Sequence, residues 1–141
     1  MKIASFPSQA LHRVRLHWRW LLTGLCAVGV IALTTLPRGS FVVQFVETFW
    51  KSGEVADAVG HAGLFASLTA VLYLSLRHAL GGWRMSFGVA LLLTLVIGVT
   101  AALLTELSQA NTPGRTASLS DGLGNMLGVF IMATLISARR R

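Results

Sequence analysis

The chain has 141 residues, of which 54% are hydrophobic and only 12% charged, and its mean hydropathy is +0.68. Soluble domains carry about 25% charged residues, so an ordinary water-soluble enzyme and a disordered chain are both excluded. The formal charge of +7 raises nucleic acid as a partner until the placement of the charges is considered.

A helix crossing a bilayer core of about 30 Å needs roughly 20 apolar residues. The first such run covers 20–36 and ends at Pro37, which has no amide hydrogen with which to continue a helix. A basic arm precedes it, as in a signal peptide. The run is longer than a typical signal core, however, and no A-x-A-like cleavage site follows, so a retained helix is expected. Next comes 41–51, where Phe41, Val42, Phe45, Val46, Phe49 and Trp50 repeat at four-residue spacing and Gln44, Glu47, Thr48 and Lys51 fall opposite. That pattern predicts an amphipathic helix too short to span, lying in the outer interface with Trp50 at headgroup level. It suits a lid over the bundle or a surface for lipid or a partner.

The second run covers 59–76 and closes at Arg77, after which Gly81-Gly82 breaks the chain. The third covers 85–107. The fourth covers 119–136 and stops at Arg139-Arg140-Arg141. The fold class expected is all-α: an integral membrane bundle of four transmembrane helices with a short amphipathic interfacial helix between spans one and two. One membrane domain would occupy 1–141, with basic tails at 1–19 and 137–141.

Nine of the twelve lysines and arginines then fall on one side of the membrane: Lys2, Arg13, Arg15, Arg19, Arg77, Arg84 and the three terminal arginines. The other side holds Arg38, Lys51 and Arg115 with all five acids, Glu47, Glu54, Asp57, Glu106 and Asp121. The positive-inside rule places both termini in the cytoplasm of a multi-pass protein of the cell membrane. The basic excess is thus a topology signal, helped by anionic lipid headgroups, and no nucleic-acid partner is needed to explain it.

Polar residues gather where three spans reach the outer side. Span two begins Asp57-Ala-Val-Gly-His61, an i,i+4 pair. Span three ends Glu106-Leu-Ser-Gln109, and span four begins Asp121-Gly-Leu-Gly-Asn125. Asn111-Thr-Pro-Gly-Arg115 is a turn sequence between the last two. Antiparallel spans bring these ends to one depth, where carboxylates are unfavourable unless paired, and Arg115 and His61 are the available cations. The cluster reads either as a polar pocket for an anionic headgroup, a metal or a substrate, or as a network that pins three helices.

One histidine beside carboxylates can ligate, but no H-E-x-x-H or multi-histidine set occurs, so neither a metal nor another cofactor is expected. Asp121, His61 and Ser118 or Ser120 could form a hydrolytic triad, though no G-x-S-x-G elbow accompanies them. Ser120 and Asp121 are also placed to cap span four. Gly124-Asn-Met-Leu-Gly128 is a GxxxG pattern better suited to close packing inside this bundle than to dimerisation. Cys26 sits in an apolar stretch and reads as a small core residue.

The run Glu106-Leu-Ser-Gln109, Pro113-Gly114-Arg115, then Asp121-Gly-Leu-Gly-Asn125-Met-Leu-Gly128 resembles the signature of the VanZ-like membrane proteins: E-x-x-Q, then R, D, N and G at matching spacings. Asp57 and His61 resemble the family's upstream D-K-x-x-H, with Ala58 in place of its lysine. The resemblance covers about residues 55–135. It implies a small helical membrane protein, in a family whose founding member is associated with low-level teicoplanin resistance. It also implies that Asp57, His61, Glu106, Gln109, Arg115, Asp121 and Asn125 matter, without implying a reaction.

The leading expectation is a non-catalytic envelope protein whose outer cluster contacts an anionic or lipid-linked headgroup. Its partners would be membrane lipid or a lipid-linked envelope precursor, with Arg115 as the anion-facing cation. An accessory subunit of a larger membrane protein complex is the alternative. A lipid-acting enzyme using His61 with Glu106 or Asp57 ranks last.

Overall fold

The computed structural model describes residues 8–37, 39–49, 53–78, 84–113 and 118–140. Its helices are α1 (Ser8–Thr35), α2 (Phe41–Phe49), α3 (Glu54–Arg77), α4 (Phe87–Ala110) and α5 (Leu119–Ala138); no strand occurs among the described residues. Four segments are long and apolar enough to cross a membrane: His17–Thr35, Glu54–Arg77, Phe87–Ala110 and Leu119–Ala138. The short α2 lies between the first two, as the hydropathy pattern predicts.

The helices outrun their apolar stretches. α3 starts at Glu54, so Glu54 and Asp57 occupy its first turn, where the partial positive charge of the free amides favours carboxylates. α4 continues past Glu106 to Ala110. α1 starts at Ser8, so much of the stretch expected as a basic tail is helical. No glycine or proline interrupts residues 8–20, and arginine is a good helix former.

α3 is the hub. It packs on α1, α4 and α5, most extensively on α5. The α3–α5 seam is close because side chains are missing from it. A methyl added at Gly124 would lie 2.5 Å from the Ala58 carbonyl oxygen, and one at Gly128 would meet the Ala62 oxygen closer still. These residues sit one helical turn apart, so the GxxxG pattern brings backbone onto backbone within the bundle. α4 joins the same seam through Gly98, whose added methyl would touch Val129 at 3.2 Å.

Val30, Phe65, Leu68, Ala102 and Val129 form the central core, with Cys26 among the partly buried residues around it. Leu72, Leu76 and Ala90 form a second cluster. The buried threonines of α3 and α4 are satisfied locally. Thr69, Thr94 and Thr105 donate to the carbonyls of Phe65, Ala90 and Ala101, one turn back on their own helices. α1 is tied to α3 by the Thr23 and Ser75 hydroxyls, 2.8 Å apart, and by Thr23 donating to the Val71 carbonyl at 3.2 Å.

On α2, Val43 is buried, while Phe41, Phe45 and Phe49 form an exposed ladder with ring centroids 6.3 and 5.3 Å apart. Trp50, expected to anchor this helix, lies outside the described residues.

Candidate functional site

The glycine seam positions the site. With the Ala58 carbonyl against Gly124, the first turns of α3 and α5 run side by side, and their polar residues meet. His61, 7% exposed, has Nδ1 at 2.8 Å from Asn125 Oδ1, so the ring nitrogen donates and the amide oxygen accepts. His61 Nε2 faces Asp121 Oδ2 at 3.9 Å. Asn125 is fully buried, and its Nδ2 has no hydrogen-bond partner among the described residues.

Asp57, His61 and Asp121 share one open cleft of about 490 Å³, walled on the α1 and α2 side by Leu33, Thr34, Val46 and Glu47. Val59 and Leu64 extend its apolar surface along α3. The cleft therefore joins an acidic end to an apolar wall. Glu47 is a contributor that the sequence motifs do not single out. The available signal was its place on the polar face of the amphipathic α2, which packs against α1 and lines the cleft together with α3.

The remaining signature residues reach the same end of the bundle but point elsewhere. Glu106 turns toward α5, where a methyl on Gly122 would lie 3.6 Å from its Cδ and Oε2. Both carboxylate oxygens are buried with no hydrogen-bond partner among the described residues. Gln109, 1% exposed, turns toward α1 and donates from Nε2 to the Thr34 carbonyl at 2.7 Å. An i,i+3 pair diverges by about 60° around the helix axis, which is enough to put the two side chains in different seams. Thr34, 1% exposed, carries no signal in sequence because its link to Gln109 spans two other helices. Arg115, the expected cation, lies outside the described residues.

The start of α5 also differs in detail from expectation. Its N-cap is Ser118, with no side-chain capping bond, and Asp121 lies in the first turn rather than at the cap. The Ser118 and Ser120 hydroxyls are 2.6 Å apart and bond each other, while the His61 ring nitrogens address Asn125 and Asp121. The triad geometry is therefore not formed. Among the described residues, no three His, Cys, Asp or Glu side chains are placed to hold a metal ion.

Comparison with curated proteins found no match, and comparison with solved structures found none. The family model described as VanZ/LLP1 matches residues 10–140, a span that includes all four apolar helices from their membrane-spanning portions onward. That match covers the E-x-x-Q, Arg115, Asp121 and Asn125 signature together with the His61 cleft, and the chain is a multi-pass membrane protein belonging to the VanZ/LLP1 family.

Proposed function

We propose that this VanZ-family protein is a non-catalytic envelope component that binds a lipid-linked headgroup at the acidic end of its bundle. The observation that carries the reading is the amphiphilic cleft: Asp57, His61 and Asp121 at one end, with Leu33, Val46 and Leu64 beside them. A lipid matches both halves, with its chain on the aliphatic wall and its polar head on the carboxylates. The Asp57 and Asp121 carboxylates in the cleft favour a hydroxyl- or ammonium-bearing head, to which they offer lone pairs. An anionic phosphate in the same head would be matched by Arg115, six residues before Asp121 in the sequence. The charge distribution along the chain supports a cell-membrane location with both termini cytoplasmic and this cleft on the outer side.

Native mass spectrometry of the full chain released from its own membrane tests the reading. The wild type should carry a defined lipid adduct that is lost in Asp121→Asn and in Arg115→Ala, with expression and thermal stability of the variants retained. Unchanged lipid retention in both variants would overturn it.

A second reading, an accessory subunit of a larger membrane complex, is favoured by the exposed Phe41, Phe45 and Phe49 ladder. Here the polar end is a staple, and Arg115→Ala lowers stability rather than ligand retention. A photo-crosslinker at Phe49 should then capture one protein in stoichiometric yield; capture of lipid alone would dismiss this reading.

A further inference from the structure

At the end of the bundle opposite the acidic cleft, α3, α4 and α5 border a second open cleft of about 490 Å³. Its inner walls are aliphatic: Ala70 and Leu74 on α3, and Met132 and Ile136 on α5. Its mouth carries Arg77, Arg139 and Arg140. Two of these guanidinium groups are held in place. Arg77 donates from Nη1 to the Met85 carbonyl, and the Arg140 guanidinium carbon lies 4.5 Å from the centre of the Phe87 ring. That ring is braced edge-on by Tyr73 at 6.0 Å. The cationic mouth is thus built by packing and not by flexible side chains alone.

No acid lines this cleft among the described residues. All five acids of the chain lie in α2, in the first turn of α3, at the far end of α4 or at the start of α5. From Asp57 to Arg77 along α3 the separation is roughly 30 Å, well beyond a Debye length of about 8 Å. Among the described residues the arginines therefore have no acidic side chain near them. The slot runs from Arg77 back to Ala70, about 10 Å at the helical rise, toward the middle of the membrane. Cations at the mouth and an aliphatic slot of membrane orientation together match one class of molecule.

We propose that this cleft is a binding site for an anionic glycerophospholipid, distinct from the site at the acidic end. Its phosphate is held by Arg77, Arg139 and Arg140, and one acyl chain lies between Leu74 and Ile136. Arginine forks pair with phosphate oxygens through two parallel hydrogen bonds, which a zwitterionic lipid weakens by bringing its own ammonium.

The full chain, exchanged into nanodiscs of equimolar palmitoyl-oleoyl phosphatidylglycerol and phosphatidylcholine, should retain the phosphatidylglycerol preferentially in native mass spectra. Each arginine neutralised should reduce that preference about five-fold, so Arg139→Gln/Arg140→Gln reduces it about 25-fold by the same rule. Both positions are exposed at the end of α5, and thermal melts should be unchanged. Met132→Trp, which fills the slot and leaves the arginines alone, should release the lipid, whereas Asp121→Asn should not affect it. Equal retention of the two lipids, or retention unaltered in the double variant, would overturn the proposal. Displacement of phosphatidylglycerol by glycerol phosphate at equal concentration would overturn it in another way, by making the site one for soluble anions.

Discussion

The two long seams of α3 are closed by opposite means. Against α5 the contact is made by removing side chains: Gly124 and Gly128 bring the helix onto the Ala58 and Ala62 carbonyls. Against α1 the contact is made by adding polar side chains, the Thr23 and Ser75 hydroxyls at 2.8 Å. α1 is joined to α4 in the same way, by Gln109 donating to Thr34. The first kind of seam is rigid, because backbone cannot move aside. The second leaves gaps, including a slot of about 260 Å³ bounded by Ala27, Val30, Leu68 and Ala101. In a membrane, where lipid tails compete equally for apolar surface, close van der Waals contact orders helices more firmly than isolated hydrogen bonds do. The His61–Asn125 pair lies on the rigid seam.

Substitutions that separate these two kinds of seam follow in order of size. Gly128→Leu drives a branched side chain into the Ala62 carbonyl, and its destabilisation should reach about 3 kcal/mol, the upper part of the overpacking range. Equilibrium unfolding in a detergent titration would show it, and wild-type stability would break the account of the seam. Asn125→Ala takes the acceptor from a buried His61 Nδ1 and should lower stability by about 1–3 kcal/mol. Asn125→Asp, which keeps an acceptor, should be milder in the same titration.

Gln109→Ala removes the α4–α1 tie and should cost about 1 kcal/mol. Because it acts on α1, proteolysis near the N-terminal end of the chain should quicken while the α3–α5 pair stays protected. Thr23→Val should have the smallest effect, about 0.6 kcal/mol, the average for hydrogen bonds between membrane helices. A larger loss for Thr23→Val than for Gly128→Leu would reverse the comparison.

The spans were legible because hydropathy is a local property. Twenty apolar residues predict a membrane helix wherever they stand in the chain, and the structure departs at the ends, extending α3 back to Glu54, α1 back to Ser8 and α4 on to Ala110. The GxxxG of Gly124 and Gly128 was legible for a related reason, since its spacing puts both residues on one face. The polar signature was legible as a set but not as an arrangement. Asp57, His61, Asp121 and Asn125 do come together, whereas Glu106 and Gln109, only three residues apart, enter different seams. Glu47 carried no motif, and the basic-end cleft drew on Arg77, Phe87, Met132 and Arg140 from three separate helices. In sequence, its arginines read only as a statement of orientation.

What the sequence by itself determined is the number of spans, the short helix after the first, the separation of acids from arginines and the membership of a family. All of these follow from composition and spacing along the chain, without reference to which residues meet in space. Which face each helix turns to which neighbour was decided only in the tertiary structure. Helix rotation depends on contacts between residues far apart in the chain, and here the missing side chains of Gly124 and Gly128 set it for α5. That single close approach puts His61 beside Asn125 at one end of the molecule.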